Sequence, residues 1–230
     1  MSAFDKFLAS LNPIGSAEAQ PLMPGALGYP YAKAQSAALA LGHGASDKDI
    51  WKRFGLYKSP MENGSNALVG EIPDTNARLN PGKARTISDV LDHPALFNSY
   101  PDLAKIPVSL TRYSEDKLPA QRGRTLLDTD KSIALNIRAN YATDAQKKDT
   151  LLHEFTHAIQ HEHGFPSGTD SNSQSYGTYI DSPGEEQARM TELRALMTPK
   201  NLTKESPKTT IERMRKYGSS QSSIIQELLK

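Results

Sequence analysis

The stretch "TLLHEFTHAIQHEHGF", Thr150 to Phe165, holds four of the chain's six histidines together with Glu154 and Glu162. Leu151, Leu152, Phe155, Ala158 and Ile159 recur within it at three- and four-residue spacing, the period of one helix face. Thr143 and Gln146 make a T-x-x-Q capping box ahead of the run, and Gly164 stands where a helix turns left-handed and stops. The pattern predicts a single amphipathic helix. His153 and His157 then lie one turn apart, with Cβ atoms about 5–6 Å from each other, so two imidazoles can meet on one ion. Glu154 follows His153 and is rotated by about 100° around the helix, which brings it over a water on that ion. The H-e-x-x-H order thus points to Zn²⁺ held by His153 and His157, with Glu154 as general base in peptide-bond hydrolysis.

A catalytic zinc takes three protein ligands, and this stretch supplies two. His161 continues the row of histidines, but three along one straight helix do not close a tetrahedron, so it reads as solvated or facing substrate. His163 falls ten residues after His153, at the third-histidine position of H-e-x-x-H-x-x-G-x-x-H. The glycine that lets the chain turn back in that pattern is Gln160 here, a good helix former. The favoured third ligand lies in "SPGEEQAR", where Ser182 is the N-cap of a second helix, Pro183 its first residue and Glu185 its third. Glu186 is the fallback. Glu185 also has a plain structural reading, closing a capping box with Ser182, and Glu186 reads equally as a charge placed well at a helix N-terminus. For the donor that meets the developing oxyanion the candidates are Tyr179, then Tyr176 and His161.

Outward from these helices the sequence predicts strands at "ALVGEI" (67–72), "VSLTRY" (108–113) and "KSIALNIR" (131–138), the last as the edge strand beside the histidine helix. "SDKDIWKRFG" reads as a short helix with a Ser46–Asp49 capping box and Gly55 as its stop. "TISDVLDHPALFNSYPDL" reads as two short helical segments broken at Pro94 and Pro101. Residues 1–45, rich in Ala, Gly and Pro, form an arm with a short helix near 3–11 and an alanine-rich helix ending at Gly42. The expected organisation is an arm at 1–45, a catalytic domain at 46–198 and a helical tail at 199–230, with "TTIERMRKYG" and "SSIIQELLK" as the tail's helices. The fold class is α+β, a zincin-like domain with a short mixed sheet packed on the active-site helix.

Charge narrows the partners. The 27 basic and 26 acidic residues give a net +1, which argues against nucleic acid despite the basic "KTTIERMRKYG". Cysteine is absent, so disulfides and thiolate chemistry are excluded. No apolar run approaches the roughly 20 residues of a membrane span. Asp5 and Lys6 interrupt the N-terminal apolar patch, so a signal peptide is not expected and the chain reads as soluble.

"HEFTH" with the downstream E-x-x-A helix resembles the gluzincin metallopeptidases, the class of thermolysin and its minimal relatives. The resemblance implies Glu185 as third ligand, being the first glutamate of an E-x-x-(A/S)-D helix. It departs at Arg189, which replaces the aspartate that supports a zinc histidine, so that carboxylate must come from elsewhere, Asp181 being one candidate. "ALMTP" is similar to the L-L-M-P ending of minimal gluzincins in phage-repressor and stress-response regulators.

A second resemblance covers about residues 46 to 197. "DIWKRFGLY", "GEIPDTNARL", "SDVLDHPALFNSYPDLAKIPV", "LLHEFTHAIQHEHGF" and "GEEQAR", in that order, are similar to a large polyvalent protein-associated domain of phages and mobile elements. It implies a phage origin and a place in the virion or the host cytoplasm. The implied partners are other virion proteins and a protein or peptide substrate. The alternative function it implies is a structural or ejection protein that uses a zincin-like domain as scaffold.

Overall fold

A computed structural model describes residues 18–74, 77–80, 86–109, 123–127, 133–137, 144–166, 179, 181–195, 197 and 199–217. The predicted helix near 3–11, strand residues 110–113, the Thr143–Gln146 capping box, Tyr176 and "SSIIQELLK" lie outside these residues.

In chain order the strands and helices begin with β1 (Glu18–Leu22), α1 (Tyr31–Gly42), α2 (Asp47–Phe54), β2 (Tyr57–Pro60) and β3 (Asn66–Pro73). There follow β4 (Arg78–Leu79), α3 (Ile87–Val90), β5 (Leu91–Asp92), α4 (Pro94–Ser99), β6 (Val108–Ser109), β7 (Gly123–Leu127) and β8 (Ile133–Ile137). The last four are the helices α5 (Asp144–Glu162), α6 (Pro183–Ala195), α7 (Pro199–Lys204) and α8 (Pro207–Tyr217). The class is α+β. One sheet has the antiparallel order β1-β3-β2, and a second runs β6-β8-β7, with β6 parallel and β7 antiparallel to β8. The second sheet is mixed, as expected, but the strand order corrects one reading. Ile133–Ile137 is the central strand, and the edges are Val108–Ser109 and Gly123–Leu127.

Local signals explain most boundaries. Asp49 N–H donates to Ser46 Oγ at 3.2 Å and Ser46 N–H to Asp49 Oδ2 at 3.3 Å, closing the capping box of α2, and Gly55 ends it at φ 63°. Gly164, at φ 67°, turns the chain off α5. The segment with Pro94 and Pro101 holds α3 and α4, followed by a single 3₁₀ turn at Leu103–Lys105.

The histidine helix buries the face its periodicity announced. Leu151, Leu152, Phe155, Ala158 and Ile159 are at most 1% exposed and join Met23, Val69, Ile72 and Leu193 in one core. Burial of a large apolar side chain contributes about 1.5–3 kcal/mol, so these five positions anchor α5 between the strands and α6. Residues 18–26 pack onto this core, and α1 packs through Ala37 and Ala40 on a second cluster with Ile50, Phe54 and Leu56. The strand β1 pairs with β3 and touches both α5 and α6, and Met23 is fully buried. Tyr100 fastens the end of β1 by accepting from Met23 N–H at 2.8 Å and donating to the Pro21 carbonyl at 3.0 Å. No helix among the described residues is long and apolar enough to cross a membrane.

The helix α6 is polar in sequence yet buried. Glu185, Glu186, Gln187, Thr191 and Arg194 are all buried, which costs free energy unless each finds a partner. Arg194 pairs through two nitrogens with Glu71 of β3. It also donates to the Glu205 carbonyl at 2.9 Å and Thr210 Oγ1 at 3.2 Å, and stacks over Trp51. That single side chain ties α6 to the first sheet and to the C-terminal helices.

Candidate metal centre

The α5–α6 pair presents His153, His157 and Glu185 to one another. Nε2 of His157 lies 3.2 Å from Nε2 of His153 and 3.1 Å from Oε1 of Glu185. Nε2 of His153 lies 3.4 Å from Oε2 of Glu185. Ligands at tetrahedral angles and about 2.0–2.1 Å from a zinc ion stand about 3.3 Å apart, so this triangle has the edge lengths of a zinc site. Among the described residues, this is the one group of three or more His, Asp or Glu side chains that can share an ion. Two imidazole nitrogens and a carboxylate leave a fourth position for solvent or substrate, the donor set of a catalytic site.

The charges agree with the geometry. Burial raises the Glu185 carboxyl, but contacts from His153 and His157 prevail and hold it far below the usual carboxylate range. Burial likewise opposes charge on His153, yet Glu185 and Glu192 outweigh it and hold its pKa well above the usual histidine range.

The surrounding residues sort the alternatives. Glu186 makes a two-point ion pair with Arg215 of α8 and is not part of the group of three. His163 follows the last residue of α5, and its ring packs edge-on against Tyr100 at 5.4 Å. A Cβ on Gly25 would stand a tight 3.3 Å from that ring, and Gly25 sits at φ 99°, a conformation that favours glycine. His161 is exposed. Ser182 Oγ makes no hydrogen bond, so the Ser182–Glu185 capping box is absent and the Glu185 carboxylate serves the histidines instead.

Glu154 is buried, and its charge acts on both His153 and Tyr179. Burial, the Glu185 charge and a hydrogen bond to Glu185 push the Tyr179 phenol far above its ordinary value, so it remains a donor. The carboxylate behind His153 is Glu192, not Asp181. Its Oε1 lies 3.1 Å from His153 Nδ1, an ion-pair contact outside hydrogen-bond geometry, whereas Asp181 is exposed. Behind His157 is Gln160, with Oε1 2.9 Å from Nδ1. Neither Glu192 nor Gln160 was singled out from sequence as a support. Glu192 had one usable signal: it follows Glu185 at heptad spacing, on the same helix face.

The basic tail segment is occupied within the chain. Lys208 pairs with Asp47, Arg213 with Glu205 and Arg215 with Glu186. Compared with known protein families, with curated proteins and with solved structures, the chain matches none.

Proposed function

We propose that the protein is a zinc-dependent peptidase in which His153, His157 and Glu185 hold the metal and Glu154 is the general base. The observation that carries this reading is the 3.1–3.4 Å triangle of two Nε2 atoms and a carboxylate, built from two helices and backed by Glu192 and Gln160. Bound Zn²⁺ would supply Lewis acidity to a water and to the scissile carbonyl. Glu154 takes the proton of the attacking water and passes it to the leaving amine. Tyr179, a neutral phenol, turns its single O–H from Glu185 to the oxyanion that develops on the carbonyl. Glu192 and Gln160 keep the two imidazole rings aimed inward.

The test is cleavage of a diverse peptide library by the zinc-loaded protein and by Glu154→Gln. The wild type is expected to cleave and to stop when chelated. The variant is expected to keep zinc and lose at least about 10²-fold in rate, the lower range for a general base. A variant as fast as the wild type contradicts the assignment.

A further inference from the structure

Gln160 drew attention in the sequence only as a residue that keeps the helix straight, yet it is fully buried and all its hydrogen-bonding groups are engaged. Its amide nitrogen donates to the Gly184 carbonyl at 3.0 Å and to Gln187 Oε1 at 2.8 Å. A carbonyl only accepts, so the amide must point this way round, with Oε1 towards His157. Gln187 is fixed in turn by donating to the Tyr57 hydroxyl at 3.1 Å and Ser59 Oγ at 3.3 Å. Tyr57 stays a neutral phenol because burial, reinforced by Glu71, pushes its pKa far up. Every member of this chain is buried.

An oxygen 2.9 Å from His157 Nδ1 accepts, so that nitrogen carries the proton. We propose that Gln160 is the positioning residue of His157: locked by the Gly184 carbonyl, its amide oxygen accepts from Nδ1–H, so the imidazole keeps a proton on Nδ1 and presents Nε2 to the site it shares with His153 and Glu185. Because Gly184 immediately precedes Glu185, one short piece of α6 sets both the carboxylate and the histidine tautomer. A shift of that turn disturbs two ligands together. The consequence for zinc rests on the proposed metal reading, whereas the tautomer does not.

The experiment is ¹⁵N NMR of the histidine rings in metal-free protein at about pH 8, above the ordinary histidine range, with Zn²⁺ affinity measured in parallel. The wild type is expected to show His157 protonated at Nδ1. Gln160→Met, of similar length, is expected to move the proton towards Nε2 and weaken Zn²⁺ binding about 10–100-fold. Gln160→Glu, which still accepts from Nδ1, is expected to retain the tautomer and most of the affinity. A wild-type His157 bare at Nδ1 overturns the proposal without any variant having to fold. So does a folded Gln160→Met with wild-type tautomer and affinity. Wild-type protein with the Nδ1–H ring and no zinc binding would refute the metal reading alone.

Discussion

Nδ1 of His153 stands 3.1 Å from Oε1 of Glu192, which lies two turns beyond Glu185 on the same helix. One helix therefore supplies both the carboxylate beside the Nε2 face of the histidine and the carboxylate behind it. Truncation as Glu192→Ala removes the rear contact. Zinc affinity, measured by competition with a chromophoric chelator, is expected to fall about 10–100-fold while the far-UV circular dichroism stays unchanged. Unchanged affinity would show that His153 needs no support.

Glu185 and Glu186 are adjacent but serve different partners, the histidines and Arg215. Glu186→Gln is expected to leave zinc stoichiometry intact and to cost at most about 1 kcal/mol, since Arg215 is largely exposed. Glu185→Gln is expected to abolish tight binding. Elemental analysis after gel filtration distinguishes the two. Zinc retained by Glu185→Gln and lost by Glu186→Gln would reverse the assignment.

Arg194 and Glu71 are fully buried and meet through two hydrogen bonds. Arg194→Met strips the guanidinium from a carboxylate that remains inside, and is expected to destabilise the fold by about 3–5 kcal/mol. Adding Glu71→Met should restore much of that loss, since a well-packed apolar pair often matches a buried ion pair. Urea unfolding of the single and double variants measures both effects. Equal stability of Arg194→Met and wild type would mean the pair is not a brace.

Asp47 joins α2 to α8 through Lys208 at 2.7 Å and also contacts Lys58 at 3.2 Å. Its pKa is lowered, chiefly by the hydrogen bond from Lys208. A lowered folded pKa gives stability that is present above the unfolded value, about 3.9, and lost as pH falls through the folded one. The pair is partly exposed, so the contribution is at most about 1 kcal/mol. The stability gap between wild type and Asp47→Asn is expected to be present at neutral pH and to close towards about pH 3. A gap that widened in acid would contradict the sign.

The sequence disclosed what is local. His153 and His157 sit one turn apart on a helix whose apolar face can be counted, and Gly55 and Gly164 mark where helices stop. Glu185 was favoured over Glu186 because "GEEQAR" opens a helix, but that Glu185 meets the histidines while Glu186 meets Arg215, 29 residues on, is a matter of distant contacts. The supports were hidden for the same reason. Gln160 acts on His157 through Gly184, 24 residues away, and Gln187 reaches Tyr57 across 130. Strand order is equally non-local, so Ile133–Ile137 read as an edge although it lies between two neighbours. The polar helix α6 shows the limit of periodicity, since its burial follows from ion pairs and amide contacts with distant residues and not from an apolar stripe.

The most direct test is the zinc content of folded protein after exposure to Zn²⁺ and gel filtration, beside Glu185→Ala treated alike. One zinc per wild-type chain and little or none in the variant is the predicted result. A folded wild type that retains no metal, or a variant that retains as much as the wild type, would contradict a centre formed by His153, His157 and Glu185.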